Sequence, residues 1–329
     1  MENEKPIVSI ICAVRNDGCY IRKTLESVVA QTYPNLELVV MDGASTDDTL
    51  DIIKEFAATY KNIIWRSEPD KGQWEGLEKA FALASGKYIA QLCGQDGYLN
   101  PEWFARCVEV FETQPDISLV WGVPFNMNED GKLIGPHYAY ARYLKDSSFG
   151  MSTKPLATMT AKINWHHPAA WRRLLQMAKK LTPRRAMMVL RSFRKEPIPQ
   201  KEDWFVHWLS TGQFFPEGNM VMRKEIYLEN TVRFPRETRT NAALLNFCFN
   251  FNAKGYLSYG LPLAASFSRQ HSEFAQGSVL RSEDEMLNER LTARYMQQVA
   301  DFRDEVRRKK MIHFINPAGD VVSTKTFNL

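Results

Sequence analysis

The pattern of apolar and polar positions near the start of the chain predicts a strand, a helix and a second strand in succession. Residues 8–14 form an apolar run of strand length, and the turn-forming residues Asn16, Asp17 and Gly18 end it. Residues 36–41 form a second apolar run. Between the two runs, apolar residues recur at helical spacing at positions 21, 25, 28 and 29. This order, within about 35 residues, predicts a right-handed βαβ unit and a parallel sheet.

The same alternation continues to about residue 125. Strands are predicted at 63–66, 88–92 and 119–123, and helices at 49–60, 73–85 and 100–113. The pattern therefore predicts an α/β fold with a mostly parallel central sheet flanked by helices. In such sheets ligands bind beyond the carboxyl ends of the strands, so residues that directly follow strands are the first candidates for chemistry.

The rest of the chain is less regular. A hairpin turn is predicted at 128–132, a strand leading into a helix at 219–227, and short strands at 256–259 and 264–267. Helices are predicted at 242–253 and 282–310, followed by a hairpin over 312–327. We expect three parts: residues 1–125, residues 126–275 with an inserted basic helical segment, and a helical extension over 276–329.

Bulk properties indicate a globular enzyme of the cytoplasm. Apolar residues make up 44% of the 329 positions, and the formal net charge is only +4, so no nucleic-acid partner is expected. The five cysteines are widely spaced and form no CxxC pair, which argues against disulfides and a structural zinc site. We expect neither a signal peptide nor a membrane-spanning segment.

A basic stretch interrupts this ordinary composition. Residues 171–201 carry ten lysine or arginine residues against a single glutamate, in a pattern that predicts two amphipathic helices. Three interpretations stay open: a solvated face, a nucleic-acid patch, or a helix pair that binds an anionic membrane surface near a lipid-linked acceptor. The third would place the enzyme peripherally at the inner face of the cell membrane.

Two blocks of the first third carry a family resemblance. The first comprises SIICAVRN, YIRKTLESVVAQTYPNLELVV and MDGASTDDT, and the second runs from SEPDKG to ASGKYI. Both resemble the corresponding blocks of family 2 glycosyltransferases, which are inverting enzymes of GT-A fold. The resemblance implies a transferase of the hexosyl or N-acetylhexosaminyl class, with a nucleoside-diphosphate sugar as donor.

The resemblance also implies a donor site at the strand ends. Asp42 would accept the imide N–H of a uracil-like base, and Asp70 with Lys71 would form the loop on the nucleotide side; the bland alternative for each is a turn residue. Arg269, in FSRQH, would neutralise phosphate charge. The remaining donor-side candidates are Val14, Asn16, Lys79 and Gln95.

The metal motif departs from the family pattern. Where relatives often have LNSDD, this chain has LCGQD, so only Asp96 keeps its carboxylate. Because diphosphate oxygens and water complete the shell of Mg²⁺ or Mn²⁺, one carboxylate can suffice. His271 would join Asp96, and Gln95 would hydrogen-bond a ribose. The alternative for Asp96 is a turn aspartate.

The general base is the least determined residue. The family places an aspartate near positions 244–246, where this chain has Leu, Leu and Asn. Asp203 is the predicted base, and Glu202 and Glu237 are the further candidates. The alternative is that Glu202 and Asp203 are only acidic residues in the first turn of a helix.

The sequence therefore predicts inverting transfer of a sugar, from a UDP-sugar, to a hydroxyl of a glycan or lipid-linked acceptor in polysaccharide or oligosaccharide synthesis. The incomplete metal motif and the missing aspartate keep a second hypothesis open, a nucleotide-sugar-binding protein without catalysis. A nucleotidyltransferase is disfavoured because no glycine-rich phosphate loop follows the first strand. The oligomeric state is left open.

Overall fold

The computed structural model describes residues 5–137, 139–144, 197–216, 218–230, 242–269 and 279–327. The strands are β1 Val8–Val14, β2 Leu36–Asp42, β3 Ile63–Ser67, β4 Tyr88–Cys93, β5 Gly97–Tyr98, β6 Ile117–Met127, β7 Leu133–Pro136, β8 Met220–Arg223, β9 Leu257–Arg269, β10 Met311–Ile315 and β11 Val321–Thr326. The helices are α1 Gly18–Val29, α2 Thr49–Thr59, α3 Gln73–Leu83, α4 Trp103–Thr113, α5 Lys201–Thr211, α6 Lys224–Asn230, α7 Ala242–Ala253 and α8 Val279–Lys309.

One sheet organises the described residues. Its strand order is β3-β2-β1-β4-β8-β6-β9-β5, with β7 paired to β6. The first four strands run parallel, as the βαβ pattern predicts. Every residue of β1 is buried, which is typical of a strand covered by helices on both faces. The α/β prediction for the first third is confirmed.

The second half of the sheet is mixed rather than mostly parallel. Strand β8 is antiparallel to both β4 and β6, whereas β9 returns parallel to β6. Residues 257–269 form one strand instead of the two predicted. Strand β9 pairs with β6 along its length, and shifts in the pairing register occur where the apolar pattern is interrupted.

Aromatic packing attaches the C-terminal part to the sheet. Trp121 of β6 lies 4.8 Å from Trp204 of α5, measured between ring centroids. The indole N–H of Trp208 donates to the hydroxyl of Tyr295 in α8 at 2.8 Å. The helical extension and terminal hairpin predicted from the sequence are both present. No helix in the described part of the chain has the length and apolar composition needed to cross a membrane.

Candidate donor-binding and metal site

The carboxyl ends of the first four strands lie side by side. Val14, the last residue of β1, pairs with Asp42 of β2, and Asp42 pairs with Ser67 of β3. On the other side of β1, Ala13 pairs with Cys93 at the end of β4. The loops that follow these strands therefore meet at one edge of the sheet.

The carboxylate of Asp42 is buried at this edge and accepts hydrogen bonds from three donor groups. Ser67 donates its hydroxyl at 2.6 Å, Ser45 donates its backbone N–H at 3.1 Å, and the Ser45 hydroxyl donates at close range. Asp42 itself is 1% exposed. A carboxylate has about four acceptor positions. The backbone N–H of Ser45 also reaches the second oxygen of Asp42 at 3.3 Å, so a further donor would take the place of a Ser45 contact.

Asn16 ties the β1–α1 loop to the loop after Asp42. Its backbone is left-handed, with φ at 55°. The backbone N–H of Asn16 donates to Ser45 and its side-chain oxygen accepts from the N–H of Thr46, each at 2.9 Å. The two loops are therefore a single hydrogen-bonded unit around Asp42.

Asp70 lies against the backbone of the same loop. A side chain on Gly43 would place its Cβ 2.7 Å from a carboxylate oxygen of Asp70, so it would displace that carboxylate. The backbone N–H of Gly72 donates to the other carboxylate oxygen at 2.9 Å. Asp42 and Asp70 thus flank Gly43 from two strands.

Lys79 is engaged within the protein. Its ammonium lies 2.8 Å from a carboxylate oxygen of Glu68 and 3.4 Å from one of Glu75. Glu75 also accepts the backbone N–H of Lys71 at 3.2 Å. This arrangement braces the loop that carries Asp70, and it gives Lys79 a role in positioning rather than a free charge for the donor; Lys71 is exposed on the loop.

Asp96 lies one loop further along the edge. Its carboxylate accepts the Ser268 hydroxyl and the backbone N–H of Arg269, both at 3.1 Å, so the end of β9 fixes its position. Burial raises the pKa of Asp96 to about 6, although these two hydrogen bonds and the charge of Arg269 oppose the shift. A bound cation stabilises the ionised form of a carboxylate that is buried and poorly solvated.

Arg269 is oriented by the turn between β6 and β7. Its guanidinium donates to the carbonyl of Glu129 at 2.9 Å and lies 4.8 Å from the ring centroid of Tyr20. Its Nε is buried and has no hydrogen-bond partner in the described part of the chain. A guanidinium held in this way retains a donor for an anion.

The donor atoms around Asp96 fit a hard divalent cation. Each carboxylate oxygen accepts one hydrogen bond and keeps a further acceptor position, and oxygen ligands are those that Mg²⁺ and Mn²⁺ prefer. In the described part of the chain no group of three or more acidic, histidine or cysteine side chains is placed to hold a metal ion. A cation beside Asp96 would take its further ligands from substrate oxygens and water. His271, the predicted second ligand, lies outside the described residues.

The structure also reveals a contact that the sequence analysis missed. The side-chain amide of Gln95 donates to the carboxylate of Asp17 at 2.8 Å. Asp17 is only 8% exposed. In the sequence it stands between an asparagine and a glycine, and this composition indicates a turn and nothing more.

The predicted base does not lie with the donor-side residues. Glu202 accepts a hydrogen bond from Ser323, and Asp203 pairs with Lys325 at 3.0 Å, so both acids of α5 lie against the terminal hairpin. Lys201 pairs with Asp116, the residue before β6, whereas Asp96 contacts Arg269 at the opposite end of that strand. Strand β6 has 11 residues and spans roughly 33 Å at about 3.3 Å per residue. The structure therefore does not bring Asp203 and Glu202 together with the donor-side residues, and their role as base stays a prediction. Helical acids beside aromatic residues carry no information about which sheet edge they reach.

Several other predictions lie outside the described residues. These are Glu237 and the basic segment 171–201 up to residue 196. Leu244 and Leu245, at the positions where the resemblance would place the base, are buried in α7.

The comparison with protein families decides the class. The model described as "Glycosyl transferase family 2" matches residues 9–176, just over half of the chain. The chain belongs to the family 2 glycosyltransferases. The resemblance stated from the sequence motifs is thereby confirmed.

Two of the curated relatives of this family 2 glycosyltransferase are much longer proteins. The chain is 32% identical over 141 residues to the chondroitin synthase of Escherichia coli, covering 43% of this chain and 20% of that protein. It is 30% identical over 144 residues to the hyaluronan synthase of Pasteurella multocida, covering 44% and 15%. The chain thus spans a fifth or less of the length of these two relatives.

Solved structures support the GT-A fold. The S. aureus TarS 1–349 fragment in complex with UDP aligns with a TM-score of 0.50 and 17% identity, over 92% of this chain and 72% of that one. The same fragment in complex with UDP-GlcNAc aligns with a TM-score of 0.51 and 16% identity, over 92% and 73%. At this identity the likeness establishes the fold.

Proposed function

We propose that this family 2 glycosyltransferase moves a sugar from a nucleoside-diphosphate donor to an acceptor hydroxyl with inversion, and that the donor is a UDP-sugar. The observation that carries the proposal is the arrangement of Asp42, Asp70 and Asp96 on loops at one edge of the sheet. An imide, a ribose and a divalent cation all require acceptor oxygens, and this edge supplies them.

In this proposal Asp42 recognises the base. An acceptor position that the backbone N–H of Ser45 gives up would take the imide N–H of uracil. Because Asp42 is 1% exposed, the base reaches it only when the Ser45 loop shifts. The choice of uracil is supported by the TarS fragment of the same fold, whose structures are described as complexes with UDP and UDP-GlcNAc.

Asp96 would hold Mg²⁺ or Mn²⁺, which when bound neutralises the diphosphate leaving group. Arg269 would add a second positive charge next to Asp96, and its buried Nε–H would donate to a phosphate oxygen. Asp70 and Lys71 would close the nucleotide side, with Lys79 bracing their loop.

The acceptor is proposed to be a glycan or a lipid-linked saccharide in polysaccharide synthesis, because the matched relatives are synthases of chondroitin and hyaluronan. In-line displacement needs a base on the acceptor side. For that role Asp203 and Glu202 stay predictions from the sequence, and they lie away from the donor-side residues.

A nucleotide-sugar-binding protein without turnover is the second candidate. The observation that favours it is the pair of buried leucines, Leu244 and Leu245, at the position of the family's base. Both candidates predict donor binding, and only the first predicts that the donor is consumed.

A thermal-shift panel tests the donor site. UDP, GDP, dTDP and CMP are each added with Mn²⁺ or with EDTA. Because a ligand at 100 times its Kd stabilises the native state by about 2.7 kcal/mol, we expect UDP with Mn²⁺ to raise Tm by several degrees. Asp42→Asn should reduce the shift, whereas Asp203→Asn, the matched carboxylate at the far edge, should keep it. No shift with any nucleotide would overturn the donor site.

A further inference from the structure

Asp17 is held rigidly between the first turns of two helices. Its backbone N–H donates to the Thr49 hydroxyl in α2 at 2.8 Å. Its carbonyl accepts the N–H groups of Tyr20 and Ile21 in α1, each at 2.8 Å. The position of the Asp17 carboxylate is therefore determined by the fold and not by a mobile loop.

This carboxylate determines how the Gln95 amide is oriented. At neutral pH an aspartate only accepts hydrogen bonds, so the N–H₂ end of Gln95, at 2.8 Å, must face it. The carbonyl oxygen of the same amide is then turned away from Asp17. Gln95 directly precedes Asp96, so that oxygen belongs to the loop that carries the metal candidate.

Gly94 makes room for the contact. A Cβ at this position would lie 2.4 Å from a carboxylate oxygen of Asp17 and 2.7 Å from a side-chain carbon of Val14. Positions 17, 94 and 95 thus depend on one another. LCGQD departs from LNSDD at three positions, and two of these, Gly94 and Gln95, lie against the buried carboxylate of Asp17.

A carboxylate at position 95 would face Asp17 at close range, and two like charges so placed cannot both stay ionised cheaply. We propose that Asp17 is a positioning residue of the donor site, which orients Gln95 so that its carbonyl oxygen accepts a hydrogen bond from a ribose hydroxyl of the nucleotide. This inference rests on the proposed function.

A charge swap tests it. Four proteins are compared: the wild type, Asp17→Asn, Gln95→Glu and the double variant, each titrated with UDP and Mn²⁺ by isothermal calorimetry. Gln95→Glu should weaken UDP binding by roughly tenfold or more, because it opposes two carboxylates. Asp17→Asn should weaken it by about three- to tenfold, because the amide at 95 loses its fixed orientation.

The double variant again has one carboxylate and one amide, but the amide is now at position 17 and the carboxylate at position 95. We expect it to bind UDP within about threefold of the wild type, far better than the product of the two single effects. Asp47→Asn is the matched control. Asp47 accepts from Gly18 and Thr49 in the same pair of loops and not from Gln95, so its combination with Gln95→Glu should be additive.

The outcomes separate the two hypotheses. If the wild type binds UDP but the double variant shows the product of the single losses, the role of Asp17 is overturned and the proposed function stands. If the wild type binds no UDP, the UDP-donor proposal itself fails.

Discussion

Asp96→Asn should stabilise the protein while it removes function. Burial raises the pKa of Asp96 to about 6 from its ordinary value of 3.8. The native state therefore binds a proton at Asp96 more tightly than the unfolded chain does. As the pH rises from about 4 to above 6, ionisation of the buried Asp96 increasingly lowers the free energy of unfolding of the wild type. Asparagine does not ionise, so the variant lacks this loss.

The size of the effect follows from the shift. About two pKa units at about 1.36 kcal/mol each correspond to roughly 3 kcal/mol for the full titration. About 2 kcal/mol of this falls between pH 4.5 and pH 7.5, since the unfolded carboxyl is already mostly ionised at pH 4.5. Asparagine also loses one of the hydrogen bonds from Ser268 and Arg269, but that loss is nearly the same at both pH values.

The assay is urea unfolding of both proteins in EDTA, with free energies from linear extrapolation at pH 4.5 and pH 7.5. The quantity compared is the free energy of unfolding of Asp96→Asn minus that of the wild type. It should be more positive by about 2 kcal/mol at pH 7.5, because every other titrating group is common to both proteins. A difference that does not change with pH would refute the reasoning.

Other expectations follow from the same edge of the sheet. Gly43→Ala should weaken UDP binding by roughly tenfold in calorimetry, because the new methyl group displaces Asp70; unchanged affinity would contradict its placement. Ser67→Ala should lower the free energy of unfolding by about 1 kcal/mol in urea, through the lost bond to Asp42, and an effect near zero would count against that bond. Below pH 6, protonation of Asp96 should weaken UDP binding that depends on Mn²⁺, so calorimetric affinity should fall from pH 7.5 to pH 5.5, and equal affinities would argue that Asp96 holds no metal. Asp203→Asn should leave turnover within about twofold, since an exposed ion pair contributes at most about 1 kcal/mol; a large loss would favour Asp203 as the base.

Much of the sheet edge could be predicted from the sequence. The apolar runs that end at Val14 and Asp42 predict parallel neighbours, and the structure pairs these two residues. The same pattern predicts the strand that ends near Cys93. Periodicity succeeds here because local burial on both faces determines these strands.

Contacts between distant segments could not be predicted in this way. The bond from Gln95 to Asp17 joins loops 78 residues apart, and neither residue has a periodic neighbour that indicates it. The location of Asp203 could not be predicted for a related reason. Its local pattern is that of any first-turn helix acid, whereas its helix is positioned by the contact between Trp121 and Trp204. The contacts of a side chain can be predicted from a local sequence pattern only when its partners lie in the same segment of the chain.

The most direct test of the central claim is consumption of the donor. The protein is incubated with UDP-sugars, Mn²⁺ and glycan oligosaccharides whose hydroxyls accept the sugar, and UDP release is followed by phosphorus NMR, with Asp96→Asn as the comparison. A glycosyltransferase should release UDP from one of these donors, and Asp96→Asn should abolish that release. UDP that binds while no donor is consumed would contradict the account and identify a nucleotide-sugar-binding protein.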